Sequence, residues 1–192
     1  MAPSRRGQAV EMKDALLSAG AFLLFAAAMT GCSTPHVPTP RAESYWDGDL
    51  MQGAPRVRIN LAEQRAYFYK GEQLAGVSLI SSGREGRETV SGDFRIVEKQ
   101  KHHVSSLFGA YVASDGRVVQ ADVDTRKDKR PPGTRYVGAP MPHWMRIVGG
   151  IGMHEGFLPG YPASHGCIRL PKEMAAAFYD AVSVGTPVRI EP

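Results

Sequence analysis

The sequence contains few of the residues that hold metals or disulfides. Its 192 residues include 2 Cys, at positions 32 and 167, and 6 His. No Cys-x-x-Cys or His-Glu-x-x-His pattern is present. Zinc takes three or four protein ligands, whereas His165 and Cys167 together would supply only two. The sequence therefore predicts that no metal or other cofactor is needed, with zinc held by these two residues as a minor alternative.

Long apolar runs and strong charge of one sign are also missing. The apolar stretch at residues 16–29 has about fourteen residues, fewer than the ~20 that a membrane-spanning helix needs. Lys and Arg number 23 against 19 Asp and Glu, a net charge of +4. This balance is mild, and no basic arm or nucleic-acid-binding motif accompanies it, so no nucleic-acid partner is expected.

Residues 1–31 have the pattern of a bacterial signal peptide. Arg5, Arg6 and Lys13 precede the apolar stretch, which has the length of a signal-peptide core. The stretch ends in Ala28-Met29-Thr30-Gly31-Cys32, which resembles a bacterial lipobox, the site at which a cysteine is lipidated. Met29 departs from the Leu, Val or Ile usual at its position, so ordinary signal-peptide cleavage or a retained anchor stays an alternative.

Residues 32–54 are predicted to be a lipidated Cys32 followed by a linker. Pro35, Pro38 and Pro40 favour extended, unpaired backbone. Lipidation would place the protein in the periplasm on a membrane anchor, and Ser33 in place of Asp favours the outer membrane by analogy with other lipoproteins. Cys167 would then have no disulfide partner in an oxidising compartment, which suggests a reactive thiol.

Residues 55–191 are predicted to form a mainly β domain, a mixed sheet or sandwich with one or two helices, with order beginning near Tyr45. Val57, Ile59 and Leu61 alternate with polar residues at the period of a half-buried strand. Further predicted elements are strands at 65–70 and 74–80 that complete an antiparallel meander, a helix over 172–182 that stops at Gly185, and a last strand at 188–190. Residues 105–111 are expected to line a cleft.

The chemistry of the sequence concentrates in Ser164-His165-Gly166-Cys167 and in the upstream His154. A thiol is a strong nucleophile only as its thiolate, and an imidazole can take the proton. If His154 is charged beside Cys167, the pKa of the thiol falls well below its free value of ~8.5. The amide N–H groups around Gly166 and Cys167 are candidates to hold an oxyanion. On these residues alone, a nucleophile and a buried structural thiol both remain open.

The motif resembles the signature of the L,D-transpeptidase (YkuD-like) catalytic domain. That signature is a histidine, a spacer, Ser/Thr-His-Gly-Cys, a hydrophobic residue, and Asn or Arg. Here His154 and Ser164 are separated by nine residues, and Ile168 and Arg169 follow Cys167. The spacer is shorter than usual, which predicts a trimmed substrate loop. Residues 89–96 also resemble the family's Thr-Pro-x-Gly-x-Phe-x-Ile strand, with Val90 in place of proline.

The resemblance implies a peptidoglycan L,D-transpeptidase. Cys167 would attack the carbonyl of the diaminopimelate residue in a stem tetrapeptide, release D-alanine and form a thioester, whose acyl group then passes to an amine acceptor. His154 would be the general base, oriented by the backbone carbonyl of Glu155. Arg169 would brace the site or meet a substrate carboxylate. The remaining motif residues would shape the site: Ser164, His165 and Gly166.

The resemblance also implies partners and leaves alternatives. The partners would be peptidoglycan stem peptides, with carbapenem-type β-lactams as covalent inhibitors. The lipobox-like sequence at Cys32, which lies outside this resemblance, adds a membrane as a further expected partner. A hydrolase of the L,D-carboxypeptidase type would use the same site with water as acceptor. A non-catalytic wall-binding lipoprotein is the third alternative, against which the intact Cys167 and His154 argue.

Overall fold

The computed structural model describes residues 43–192. The predicted signal peptide, Cys32 and the first part of the linker lie outside the described residues. Within residues 43–192, no helix has both the length and the apolar character that a bilayer crossing requires. The strands are β1 Tyr45–Trp46, β2 Pro55–Asn60, β3 Arg65–Lys70, β4 Gln73–Leu79, β5 Gly92–Arg95, β6 Glu98–Ala113, β7 Val118–Asp124, β8 Thr134–Val148, β9 Ile151–Glu155, β10 Ile168–Leu170 and β11 Pro187–Glu191, with one α-helix, α1, Lys172–Ala181.

Six strands form the first sheet, in the order β1-β4-β3-β2-β11-β5. The predicted meander is confirmed, since β2 pairs antiparallel with β3 and β3 with β4. Along β2, Val57 and Ile59 are at most 2% exposed, while Arg56 and Arg58, which alternate with them, face the other side of the sheet. β11 pairs in parallel with β2 and so brings the C-terminal segment into the first sheet.

Residues 45–50 belong to the folded part of the chain and not to the linker. β1 pairs antiparallel with β4, and a 3-10 turn at Gly48–Leu50 follows. The Trp46 ring lies 5.0 Å from the ring of Phe68 and 5.9 Å from that of Phe178. Trp46 therefore covers the edge of the core, from a segment that precedes the predicted domain of residues 55–191.

Five strands form the second sheet, in the order β10-β9-β8-β6-β7. β6 and β8 are long, with 16 and 15 residues, and no pattern in the sequence predicted their length. Their pairing is irregular, and the register shifts between Val104 and Gly109. Bulges of this kind bend a sheet and change the direction of its side chains. Here they lie over the segment that carries the Ser164-His165-Gly166-Cys167 motif.

Helix α1 packs its apolar face into the core between the two sheets. Met174, Ala175 and Phe178 are at most 4% exposed, and the core they join includes residues of both sheets: Val57, Ile59, Phe68, Met145, Ile147, Met153, Ile168 and Val188. The helix ends at Ala181, followed by the extended Val182. Gly185 therefore is not the helix stop that we predicted, and its φ of +95° instead forms the turn into β11. The mainly β, two-sheet fold class is confirmed.

Candidate active site

Two short parallel strands bring the motif together. β10 pairs with β9 so that Arg169 lies beside His154 and Ile168 beside Met153. Side chains at registered positions of parallel strands share a face, and positions two apart along a strand do so as well. Ile168 and Met153 fill the core, so His154, Arg169 and Cys167 turn to the opposite face.

A loop between β4 and β5 holds the motif at both ends. Ser81 and Arg169 exchange two backbone hydrogen bonds of 3.1 and 3.0 Å. The Ser164 N–H donates to the Ser82 carbonyl at 3.0 Å, and the Arg84 N–H donates to the Ser164 carbonyl at 3.1 Å. The Ala163 N–H also donates to the Ser82 carbonyl at 3.0 Å, so the last residue of the nine-residue spacer between His154 and Ser164 is tied to the same loop.

Ser164 and Thr89 fix the backbone around the thiol. Ser164 Oγ accepts from the Gly166 N–H at 3.0 Å and donates to the Cys167 carbonyl at 2.5 Å. Thr89 Oγ1 donates to the Gly166 carbonyl at 2.8 Å. Gly166 has a φ of +114°, a conformation that L side chains rarely adopt. The glycine is thus required by the bend of the backbone.

These bonds correct one sequence-based prediction. The Gly166 N–H already donates to Ser164 Oγ, so it is not available to an oxyanion. Within residues 43–192, the Cys167 N–H makes no hydrogen bond. Of the two amides, the Cys167 N–H is therefore the one left as a candidate oxyanion donor.

Cys167 is buried and protonated in the resting site. It is 8% exposed, and Sγ lies 3.5 Å from the Gly150 carbonyl, to which the thiol donates. Burial raises the pKa of Cys167, and the Gly152 N–H and the nearby Arg169 only partly oppose it. The thiol therefore needs a base to become a nucleophile near neutral pH.

His154 is buried and neutral. It is 6% exposed, and Nδ1 lies 2.7 Å from the Glu155 carbonyl oxygen. A carbonyl only accepts, so Nδ1 carries the proton and Nε2 is left as the basic nitrogen. This is the Glu155 contact that the resemblance implied. Burial lowers the pKa of His154 to about 4. Arg169 and His103 act in the same direction, whereas the hydrogen bond to the Glu155 carbonyl opposes the shift. With the pKa of Cys167 raised and the pKa of His154 lowered, burial favours a neutral thiol and a neutral imidazole over an ion pair.

His165 faces the β6–β7 hairpin. Its ring stacks on Phe108 with centroids 4.3 Å apart, and Nε2 lies 3.2 Å from Asp122 Oδ1 and 3.0 Å from Arg84 Nη2. Asp122 has a φ of +54°, unusual for a residue in a strand. Asp122 also pairs with Arg84 at 3.2 Å. His165 thus ties the motif to the hairpin.

Two cavities flank the motif and share Phe108 as a wall. The first, about 250 Å³, contains Cys167 and is lined by residues 105–108, as expected of a cleft, together with His103, Met141, Trp144, Arg146, Gly149 and Gly150. The second, about 430 Å³, is lined by His165, Arg169, Asp122 and neighbouring residues of β6–β8. A larger groove of about 560 Å³ on the outer face of the first sheet contains none of the motif residues.

Arg169 lines the second cavity without an acidic partner. Within residues 43–192 its guanidinium makes no ion pair, and its aliphatic part packs near Gly156. Burial lowers the pKa of Arg169, partly opposed by Cys167 and Asp122. A half-buried cation of this kind is suited to meet a carboxylate from outside the protein.

Among the described residues, no three His, Cys, Asp or Glu side chains lie close enough together to hold a metal ion. That the protein works without a metal or cofactor stays a prediction.

Comparison with known proteins identifies the fold and the family. The L,D-transpeptidase catalytic domain model matches residues 54–190. No curated protein sequence matches the chain. An L,D-transpeptidase from Mycobacterium smegmatis has a similar structure, with a TM-score of 0.55 at 20% identity over 72% of this chain and 59% of that chain.

Two further solved structures show the same fold. LdtMt1, an LD transpeptidase in complex with imipenem, aligns with a TM-score of 0.55 at 19% identity over 71% of this chain and 58% of that one. The catalytic domain of the Enterococcus faecium L,D-transpeptidase aligns with a TM-score of 0.50 at 23% identity over 72% of this chain and 98% of that domain. This chain thus spans under two thirds of the mycobacterial structures but nearly the whole of the isolated domain. It belongs to the L,D-transpeptidase (YkuD) catalytic domain family.

Proposed function

We propose that the protein is a cysteine-dependent peptidoglycan L,D-transpeptidase. The observation that carries the proposal is the pairing of β9 with β10, which puts His154 and Cys167 on one face. The Glu155 carbonyl holds the His154 ring in the tautomer whose Nε2 can accept a proton. The proposal needs no metal, because the thiol, the base and an amide donor suffice for acyl transfer.

In the first half-reaction, Cys167 Sγ attacks the carbonyl of the diaminopimelate residue of a stem tetrapeptide. His154 Nε2 takes the thiol proton as the S–C bond forms, and the Cys167 N–H stabilises the oxyanion. The C–N bond to D-alanine then breaks, and the imidazolium returns the proton to the leaving amine. A thioester on Cys167 remains. Because thiol and imidazole both start neutral, the proton moves with the attack rather than before it.

In the second half-reaction, an amine of another peptide or protein attacks the thioester. His154 Nε2 takes a proton from this amine, the C–S bond breaks, and the proton passes to the thiolate. The result is a new amide and a regenerated thiol. Two cavities that share Phe108 offer separate room for donor and acceptor, and Arg169 would pair with a substrate carboxylate in the second. This second cavity favours transfer over the alternative, hydrolysis by an L,D-carboxypeptidase.

β-Lactams are expected to acylate the same thiol. A related enzyme, LdtMt1, has been solved in complex with imipenem, which supports a carbapenem as ligand of this chain. Attack by Cys167 would open the strained ring and leave a thioester. A site built to exclude water would hydrolyse that adduct slowly.

We further propose that the protein is a periplasmic lipoprotein anchored through Cys32, with the outer membrane favoured. The support is the lipobox-like sequence at residues 28–32 and the prolines that follow. Metabolic labelling with a fatty-acid probe should mark wild type and not Cys32→Ser. Labelling that survives the substitution would point to another anchor or to plain secretion.

Incubation with tetrapeptide muropeptides, followed by mass spectrometry of the products, tests the enzymatic proposal. Wild type should release D-alanine and form cross-linked dimers or products with an added amine. Cys167→Ala should form none, with an unchanged circular dichroism spectrum. Tripeptide as the sole product would favour the hydrolase. Equal turnover by Cys167→Ala would exclude the thiol as nucleophile, and no turnover by wild type would leave the wall-binding lipoprotein.

A further inference from the structure

Phe108 stands between the two cavities beside the motif. Among the described residues, it alone borders both the cavity of about 250 Å³ that contains Cys167 and the second cavity of about 430 Å³. Its ring stacks on the ring of His165, with centroids 4.3 Å apart and planes 15° from parallel. Because His165 lies two residues before Cys167, the Phe108 ring lies against the motif itself. The volume that this side chain fills is closed to solvent.

The backbone at Phe108 is fixed by a turn within β6. Ser105 Oγ accepts hydrogen bonds from the Leu107 N–H at 3.2 Å and from the Phe108 N–H at 2.9 Å. A Cβ at Gly109 would come within 2.2 Å of the Val137 carbonyl oxygen, so only a glycine lets β6 approach β8 this closely. These contacts hold Phe108 at a defined place beside the motif.

Two arginines fix the neighbourhood of the Phe108 ring. The Cζ atoms of Arg87 and Arg126 lie 5.7 and 5.4 Å from the ring centroid, within the range of cation–π attraction. Both guanidinium groups pair with Asp124 Oδ2, at 3.1 and 2.8 Å. Asp124 is only 4% exposed, so this carboxylate keeps both arginines in place. The ring thus has fixed neighbours on the hairpin as well as on the motif.

We propose that Phe108 keeps water away from the thioester on Cys167 and so determines how often the acyl group passes to an amine rather than to water. The inference rests on the proposed function, since it concerns the second half-reaction. In the competing hydrolysis, a water oxygen attacks the thioester carbonyl and the C–S bond breaks. The water proton passes through His154 Nε2 to the thiolate. The products are a tripeptide with a free carboxylic acid and the regenerated thiol.

Truncation of Phe108 to alanine would join the two cavities. The lost ring leaves room for a few water molecules, each with a share of ~30 Å³ of liquid volume. Because exclusion of water protects reactive intermediates from hydrolysis, the ratio of tripeptide to cross-linked product should rise about tenfold in Phe108→Ala. Phe108→Leu refills most of the volume without a ring, so its ratio should stay within about threefold of the wild-type value.

Product ratios of the full chain give the first test. Wild type, Phe108→Ala, Phe108→Leu and the control Phe157→Ala are incubated with tetrapeptide muropeptides, and mass spectrometry measures the tripeptide and the cross-linked product. Phe157 is 77% exposed and borders neither cavity, so its variant should keep the wild-type ratio. Consumption of tetrapeptide should stay within about twofold in every variant, because the thiol and its base are unchanged.

The lifetime of a carbapenem adduct gives a second test that needs no acceptor amine. After removal of excess drug, intact-protein mass spectrometry follows the loss of the adduct from Cys167. The loss should be about tenfold faster in Phe108→Ala than in wild type, since water must attack the thioester. The released drug should carry the mass of one added water. Phe157→Ala should lose the adduct at the wild-type rate.

Three outcomes separate this inference from the proposed function. An unchanged product ratio and adduct lifetime in Phe108→Ala, with wild type active, overturn the inference and leave the transpeptidase intact. Equal losses of transfer and hydrolysis, with a slower reaction of Cys167 with iodoacetamide, mean that Phe108 is only structural, which also overturns it. Tripeptide as the sole product of wild type, or no turnover at all, overturns both.

Discussion

The two sheets differ in whether their buried polar atoms have hydrogen-bond partners. In the first sheet the inward side chains, such as Ile59 and Phe68, are fully buried against apolar neighbours. Among residues 43–192, the buried side-chain nitrogens that lack a hydrogen-bond partner all lie in the second sheet, on His143, Trp144 and Arg146, as do the non-glycine strand residues with positive φ, Asp122 and His143. His143 Nδ1 lies 3.5 Å from Glu155 Oε2 but lacks hydrogen-bond geometry.

The difference indicates that the two sheets have different roles, one in stability and the other in forming the site. Unpaired donors and strained backbone cost stability and persist where the surrounding structure holds them. The first sheet and α1 provide that support, while the second sheet presents the motif and its cavities. Substitutions in the first sheet should therefore act on folding, and substitutions in the second should act on chemistry with smaller effects on stability.

The largest effect is expected from Phe68→Ala. Phe68 is fully buried, and its ring lies 5.0 Å from each of the rings of Trp46 and Phe178. Loss of a buried aromatic ring costs about 3–5 kcal/mol of unfolding free energy. Urea unfolding followed by circular dichroism measures it, and Val97→Ala, at a position 54% exposed, is the control. A change under about 1 kcal/mol for Phe68→Ala would show that the first sheet does not support the fold as described.

The next largest effect is a pH dependence that belongs to His154. Folding lowers the pKa of His154 from 6.5 to about 4, so between these values the unfolded chain binds a proton that the folded chain does not. Stability is fully present above pH 6.5 and falls as the pH drops towards 4. Wild type should lose roughly 3 kcal/mol more than His154→Gln over this range. Unfolding curves of the two proteins that stay parallel with pH would contradict the burial of a neutral imidazole.

A somewhat smaller effect is expected on thiol reactivity. His154→Ala should slow alkylation of Cys167 by iodoacetamide at pH 7 about 100-fold, because a positioned base contributes at least that much. His165→Ala is the matched control and should change the rate little, since His165 faces Asp122 and Phe108. If only His165→Ala slowed the reaction, the two histidines would have exchanged roles.

The smallest effect is expected from Asp122→Asn. The substitution removes the charge that faces Arg84 and His165, but Asp122 is 61% exposed and such pairs contribute less than about 1 kcal/mol. Asparagine tolerates the φ of +54°, whereas Asp122→Val would add strain. Thermal unfolding of both variants separates charge from backbone conformation. A large loss in Asp122→Asn would mean that the hairpin depends on this charge.

The sequence predicted the parts whose structure depends on near neighbours. The meander of β2 to β4 follows from alternation along each strand, and α1 from helix formers after Pro171. The motif named Cys167 and His154 because their residue types and order resemble a known signature. The sequence also predicted that residues 105–111 line a cleft; residues 105–110 line the two cavities beside the motif, and Tyr111 lines neither.

What the sequence missed depends on register between distant segments. The unpaired Trp144 N–H arises from the packing of β8 against β6 and Gly152, and no local pattern signals it. The path of the backbone also determines that the Gly166 N–H donates to Ser164 Oγ. Burial likewise determines that His154 and Cys167 favour their neutral forms.

Intact-protein mass spectrometry after exposure to a carbapenem tests the central claim, that Cys167 is an acyl-accepting nucleophile, most directly. We expect one adduct of the mass of the intact drug, located by peptide mapping on Cys167 and not on Cys32. It should form more slowly as the pH falls, and it should be absent from Cys167→Ala. No mass increase in wild type, or an adduct that survives Cys167→Ala, would contradict the account.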